Sequence, residues 1–577
     1  MVLQALFASL PVHAGPSGPV AWGATVDVAA GGWGRMVQLT NGHWLAVSTV
    51  FPPGANSYLA LRRSTDDCRS WSSLSQVAED GRTLDNGELV VLPSGDVLLT
   101  MRSLIAGVSY RLPVYRSANG GQTWTYLSNI DTSEGLGPRG LWEPDFWVLD
   151  DGRLIVTYSN EKHDGFSQLI SEKVSSDQGT TWGPELRIVS QPGGGSLRPG
   201  MSQIARMADG RYLLVYEVVN SGNADVYSKT STNGVDWPAG LGTRIPCQHC
   251  GPFATALPDG RLFITSCENE VSFSEDFGET WQKIDPPAWA VGNKFTWPAV
   301  YAIRQGELGV LAVSPSLKLR FGALVPPTLW PNPFSDDFTD GDDSGWTRYG
   351  GNVAFVGGRY RLVNTGTYGK SITGDAFWTD GTLEADVMIT TATGDAGLMF
   401  RTTNPDYTGP DDAFGYYAGL NPNGTVVLGK MANSWTPLAS APVAVPLNTT
   451  LHLKVEIAGS TFRIFVNREP QPRIAWVDST FTRGQIGVRA FQTDAQFDNV
   501  TYSNAVPLRL DLKRSGAALE FNWPRTAFQT LGLHAAADLE TPAEWSRVTN
   551  PPALLGQRWW LSVPAPAADQ FYRLIAH

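Results

Sequence analysis

Charged side chains are scarce in this chain. They make up 17% of 577 residues, against roughly 25% in an ordinary globular protein. Helix surfaces draw on Glu, Lys and Arg, so the shortage argues against coiled coils and helix bundles. Basic residues are the scarcer sign, 43 against 55 acidic ones, giving a net charge of −12. With no Lys/Arg cluster, the sequence speaks against a nucleic-acid partner, because phosphate binding is driven by basic surface. No apolar run reaches the ~18 residues of a membrane span. Cysteine is rarer still. Cys68, Cys247, Cys250 and Cys267 are too few for a disulfide framework. Cys247-Gln-His-Cys250 has metal-like spacing but no second pair nearby, so a local disulfide or plain thiols are the expectation there.

What the chain has in quantity is Gly (60), Pro (39) and Trp (21), within 42% hydrophobic residues. That hydrophobic content excludes a disordered chain, and turn formers with aromatics point to an all-β protein. Residues 1–14 (MVLQALFASLPVHA) are apolar and end in small residues but lack a basic start. A signal-peptide remnant, implying a secreted, extracellular or periplasmic protein, and an ordinary strand are both open readings of them.

Two patterns alternate along residues 15–325. One is Ser-x-Asp-x-Gly-x-Thr-Trp, complete at Ser175–Trp182 and Ser274–Trp281 and weaker at Ser64–Trp71, Ser117–Trp124 and Ser231–Trp237. It reads as a turn in which the Asp or Asn side chain bonds backbone N–H groups, Gly takes positive φ and Trp enters the neighbouring core. Cys68 replaces Gly in the first copy and the fourth is one residue short, so those two turns are expected to be distorted. The other pattern is an apolar run, a Gly turn and a second apolar run. Its glycines Gly42, Gly95, Gly152, Gly210, Gly260 and Gly306 are 53, 57, 58, 50 and 46 residues apart. Two hairpins per period make a four-stranded blade, and six periods predict a six-bladed β-propeller. The strand near Val20–Val28 is expected to complete blade six beside Leu317–Leu324.

If both turns lie on one face, the starts of the inner strands and the ends of the second strands converge on the opposite face. Those positions supply Arg35, Asp85, Asn86, Trp142, Glu143, Glu161, Arg198, Met201, Glu217 and Trp297. Glu143, between Trp142 and Pro144, and Glu217, directly after Leu213–Tyr216, are odd for purely structural strands. Burial should raise their pKa values. They fall on adjacent blades, and paired carboxylates ~5–5.5 or ~6.5–9.5 Å apart define retaining or inverting glycoside hydrolysis. A salt bridge from either to Arg198 or Arg35 is the structural alternative. For Arg35 itself that alternative is an ion pair, for Asp85 and Asn86 a turn, and for Trp142 and Trp297, which could stack on a sugar, packing at the blade rim.

The Ser-x-Asp turns resemble the Asp boxes (BNR repeats) of the sialidase superfamily. Sialidases carry Arg-Ile-Pro in blade one and an arginine triad; here Gly34-Arg35-Met36 stands instead and no triad can be assigned, which counts against sialidase activity. A nearer resemblance, over about residues 30–315, is to the exo-α-1,5-L-arabinanases of glycoside hydrolase family 93. It is carried by Trp33–Arg35, Asp85-Asn86, GLWEP (140–144), TYSNE (157–161), Arg198–Met201 and Tyr216-Glu217. The resemblance implies a retaining exo-glycosidase that releases arabinobiose-type products from plant arabinan without a catalytic cofactor. It implies Glu143 and Glu217 as the catalytic pair, their roles unassigned, with the other funnel residues binding substrate. The alternatives are an exo-α-sialidase or another exo-glycosidase on this scaffold, and a non-catalytic glycan-binding propeller.

Residues 326–333 (PPTLWPNP) read as a linker. Residues 334–505 alternate as strands and resemble the concanavalin A-like/laminin-G-like sandwiches appended to carbohydrate-active enzymes, the last strand expected to pair with the first. Asp336, Asp337 and Asp498 are candidates for a structural Ca²⁺, the alternative being a solvated acidic edge, and Arg401, Tyr416 and Tyr417 for sugar contact. Residues 506–577 form a small β-rich tail without a chemical motif.

Overall fold

The computed structural model describes residues 19–135, 137, 139–292, 296–314, 316–325, 333–363, 368–503, 510–524, 531–537, 545–555, 558–566 and 570–576. The leader reading of residues 1–14 and nearly all of the proline linker lie outside them. The chain divides into two compact units, which part between Val325 and Pro326. Every named element is a strand, and no helix among the described residues is long and apolar enough to cross a membrane.

The first unit is the expected six-bladed propeller. Blade one runs Gly32–Gln38, Trp44–Val50, Tyr58–Ser64 and Ser72–Val77; blade two Thr83–Val91, Val97–Ile105, Ser109–Ser117 and Thr125–Glu134. Blade three is Leu141–Val148, Leu154–Asn160, Leu169–Ser175 and Leu186–Val189; blade four Arg198–Arg206, Tyr212–Val219, Asp225–Ser231 and Thr243–His249. Blade five has short strands, Phe253–Ala256, Leu262–Thr265, Val271–Ser274 and Gln282–Lys283. Blade six takes Ala299–Arg304, Glu307–Val313 and Leu317–Leu324 from one end of the unit and Val20–Ala29 from the other. Val20 pairs with Leu324 and Ala29 with Leu317, so the ring closes by antiparallel pairing of distant segments.

A four-stranded sheet has two faces to cover, and each blade covers them with its neighbours. Six hydrophobic clusters straddle the six seams. The tryptophan of each Ser-x-Asp turn enters the seam with the preceding blade. Trp71, Trp124, Trp182, Trp237 and Trp281 pack there in turn. Trp124 Nε1 donates to Ser75 Oγ and Trp182 Nε1 to Ser128 Oγ, both at 3.2 Å, tying the outer strand of one blade to the turn of the next.

The turn's chemistry explains its repetition. In the third copy Ser175 Oγ accepts the Gly179 N–H at 2.8 Å and donates to Asp177 Oδ1 at 2.8 Å. Asp177 in turn accepts the N–H and hydroxyl of Thr181. The first copy is not distorted: Cys68 adopts φ 66° and its N–H still reaches Ser64 Oγ at 3.0 Å. The short fourth copy does differ, because Gly234, three residues rather than four beyond Ser231, makes the equivalent bond at 3.0 Å. Ser175→Ala strands the buried Gly179 N–H and should lower unfolding free energy by about 1–2 kcal/mol, read by urea denaturation.

In the second unit an eight-stranded and a seven-stranded sheet face each other across one large core. Its first strand, Phe334–Asp336, pairs with its last, Asp494–Ser503, as expected. Arg401, Tyr416 and Tyr417 are buried, with Arg401 donating to the Thr379, Phe481 and Gly459 carbonyls. Core packing therefore replaces the sugar contact considered for them. The Asp336 carboxylate accepts Phe338 N–H and Trp346 Nε1–H, Asp337 accepts from Thr339, and Asp498 accepts Asn499 N–H with Arg359 at 3.6 Å. No group of three or more His, Cys, Asp or Glu that could hold a metal occurs among the described residues. The tail forms two small sheets around Phe521, Trp523, Leu533, Leu561 and Val563.

Candidate active site

One backbone device repeats at the start of every inner strand. In blades one to four the pairing with the second strand shifts between Gly32 and Arg35, Asp85 and Glu88, Trp142 and Asp145, and Gly200 and Gln203. A residue with positive φ sits in each bulge: Trp33 (49°), Asn86 (51°), Glu143 (43°) and Met201 (49°). Cys250 (48°) and Trp297 (39°) hold the same place before the inner strands of blades five and six. Such a conformation is sparsely populated for residues other than Gly and is kept where surrounding structure enforces it, often at functional sites. A bulge also re-aims a side chain next to an active site. Six blades thus contribute one positive-φ residue each.

The bulge residues Trp33, Asn86, Glu143 and Met201 line a pocket together with Arg35, Glu88 and Gln203, which stand two residues further along their strands. Glu88 and Gln203 were not legible as site residues. The signal available was positional, since Glu88 follows Asn86 and Gln203 follows Met201 as Arg35 follows Trp33. Arg35 Nε lies 3.4 Å from Glu88 Oε2. Asp145, at the same register, accepts the Ile204 N–H at 3.2 Å. Burial, more than any neighbour, raises the pKa values of both Glu88 and Asp145, and Glu88 pushes Asp145 further. One guanidinium thus faces two acids whose pKa values burial raises.

Glu143 accepts the Ser159 hydroxyl at 2.7 Å, and the Met201 N–H lies between that hydroxyl and the carboxylate. Burial raises its pKa, opposed by Ser159, Arg102 and Met201. Among the described residues Glu217 accepts one hydrogen bond, from Gly251 N–H at 2.7 Å. Burial lifts it to about 7, with the Glu143 charge adding to the rise and Arg198 opposing it. Glu143 is thus held by Ser159 of its own blade and by Met201 at the start of blade four, and Glu217 by the start of blade five. Glu143 has more donors than Glu217.

The remaining expected residues are placed as follows. Arg198 pairs with Glu161 at 2.5 Å, and Glu161 also accepts the Gly140 N–H, so Arg198's ion pair is with neither candidate catalytic acid. Asp85 is bound by two nitrogens of Arg102, Nε at 2.7 Å. The Arg102 guanidinium sits 4.1 Å from the centre of the Trp142 ring, which also packs on Tyr110. Trp142 is thereby part of the wall. Trp297 packs edge-on to Trp33 at 5.1 Å, and Trp33 on the exposed Phe51 at 5.3 Å, giving an aromatic ledge. Cys250 bonds to Cys267, not to Cys247, and Cys68 and Cys247 are buried. Glu270 is buried and its pKa is lifted to about 7.

Residues 22–224 match the family model described as a BNR repeat-like domain, and residues 334–502 the 3-keto-alpha-glucoside-1,2-lyase-like domain. No curated protein matches the chain. Among solved structures, the alpha-L-arabinanase of Penicillium chrysogenum, complexed with arabinobiose, is similar at 22% identity over 53% of this chain and 98% of that one, with a TM-score of 0.46. The sialidase of Trypanosoma rangeli is similar at 12% identity over 82% and 91%, with a TM-score of 0.41. The carbohydrate binding module CBM66 of Bacillus subtilis is similar at 27% identity over 28% and 96%, with a TM-score of 0.25. Residues 22–224, within the six-bladed propeller, thus match a BNR repeat-like domain, and residues 334–502 match a 3-keto-alpha-glucoside-1,2-lyase-like domain.

Proposed function

We propose that the protein is a retaining exo-glycosidase that cleaves α-1,5-linked arabinan, releasing arabinobiose-type products. The observation that carries this reading is the pair Glu143 and Glu217, on adjacent blades, electrostatically linked and held in unequal environments. Glu143, whose donors favour the carboxylate over the acid, attacks the anomeric carbon. Glu217, lifted to about 7, gives its proton to the departing glycosidic oxygen. It then takes a proton from the water that displaces Glu143.

Charge favours a neutral sugar over a sialoside. Arg35, Arg102 and Arg198 are each committed to an acid of the protein, Glu88, Asp85 and Glu161. A sugar carboxylate would have to displace one of these partners. The aromatic ledge of Trp33 and Trp297 offers apolar surface to a sugar ring. A secreted setting suits both a polymeric substrate and the Cys250–Cys267 disulfide.

The test is hydrolysis by the full chain of linear α-1,5-arabinan and, in parallel, of a sialyl-oligosaccharide. Disaccharide release from arabinan alone is the expected result. Sialic acid release would replace this reading with a sialidase, and binding without turnover of either would make the propeller a lectin.

A further inference from the structure

Blades five and six lack the part of the ladder that fixes the bulges of blades one to four. In blades one to four, pairing between the two inner strands resumes on the far side of the bulge, as at Gly32 with Thr49 or Gly200 with Glu217. In blade five the ladder ends at Phe253 with Thr265. Beyond it, the disulfide Cys250–Cys267, one backbone bond, Cys267 N–H to the Cys250 carbonyl at 3.3 Å, and the His249 N–H to Ser266 Oγ at 3.0 Å join the same two segments. Cys250 N–H also donates to the Ala224 carbonyl of blade four at 2.7 Å.

The next residue, Gly251, supplies the one hydrogen bond that Glu217 receives among the described residues. Its φ is 31°, and a Cβ there would stand 2.4 Å from Trp297 Cδ1 and 3.2 Å from Met201 Cε. The N–H therefore occupies a narrow slot whose position depends on the Cys250 backbone. We propose that the Cys250–Cys267 disulfide is a positioning device for Glu217, clamping the start of blade five so that Gly251 N–H holds the carboxylate in the funnel. This deepens the reading of Glu217 as acid/base and rests on it.

An N–H donor stabilises the carboxylate over the acid, so a loosened clamp should raise the midpoint at which Glu217 ionises. The other charges acting on Glu217, Glu143 and Arg198, stand on blades three and four and keep their places. The experiment reduces the folded full chain with a phosphine, caps the released thiols, and verifies by mass that Cys250 and Cys267 are modified. Two readouts follow: kcat and KM against pH on arabinan, and ¹³C NMR titration of labelled glutamate carboxyls, with Glu217→Gln identifying the resonance.

The expected result is a Glu217 midpoint raised by roughly one pH unit, kcat lowered by roughly tenfold, and KM changed by less than about twofold. Gly251→Ala, with the disulfide intact, should reproduce the raised midpoint. An unchanged midpoint after verified reduction, or in Gly251→Ala, overturns the proposal. A raised midpoint in a protein that hydrolyses no glycan upholds the clamp and removes the glycosidase reading instead.

Discussion

Glu217→Gln is expected to lower kcat on arabinan by between about 10² and 10⁴-fold, the range for losing a general acid, and Glu143→Gln by at least as much. The wild-type profile should fall as pH rises through about 7, because the proton that Glu217 must deliver is then lost. Substrates with good leaving groups need that proton less. An aryl arabinoside should therefore rescue the first step in Glu217→Gln and not in Glu143→Gln. Azide separates the roles further. In Glu217→Ala it should attack the glycosyl-enzyme and give a product of retained configuration. In Glu143→Ala it should enter the vacated nucleophile site and give the inverted azide. The reverse pairing of products would exchange the two roles. Full activity in either Gln variant would sink the two-carboxylate mechanism.

The fold was legible because its instructions are local and repeated. A Ser-x-Asp turn satisfies its own backbone donors and delivers its own tryptophan to the seam with the preceding blade, so each copy can be read without knowing the others. Glu143 and Glu217 were legible because a carboxylate in an otherwise apolar strand asks for a reason. Arg35, Asp85, Glu161 and Arg198 were found by position, but their partners depend on side-chain reach across strands and blades. Glu161 could be placed against Arg198 only once blades three and four stood side by side. Glu88 and Gln203 escaped for a different reason. The bulge moves register by a residue that no motif marks, so the layer behind the first ring shows only when the strands are aligned on positive φ. Cys68 shows the limit of composition: the turn needs a left-handed conformation there, and its hydrogen bonds hold a non-Gly residue in it.

Glu172→Gln should stabilise the propeller at alkaline pH, an effect that arises in the short fourth turn. Trp124 and Trp182 donate to serines on the outer strands of the preceding blades. Trp237, from the copy one residue short, donates instead to Glu172 Oε2 at 3.0 Å, on the third strand of blade three. Glu172 is fully buried, and its Oε1 has no hydrogen-bond partner among the described residues. Burial lifts its pKa from 4.5 to about 8, opposed by the Trp237 bond and by Arg153. Between those values the folded protein keeps a proton that the unfolded chain has released. Its contribution to stability therefore falls as pH rises from 4.5 to about 8 and is level on either side. At 1.36 kcal/mol per pH unit the difference across that window is on the order of 4 kcal/mol. Glutamine keeps an acceptor for Trp237 and cannot ionise, though its amide leaves one donor to satisfy, at a cost of about 1–2 kcal/mol. Glu172→Gln should thus raise unfolding free energy by roughly 2–3 kcal/mol at pH 9 and lower it slightly at pH 5. Denaturation at the two pH values checks the crossing. Destabilisation of similar size at both would mean that Glu172 is ionised in the seam and held there by a cation, because only then would removing its charge remove a favourable contact.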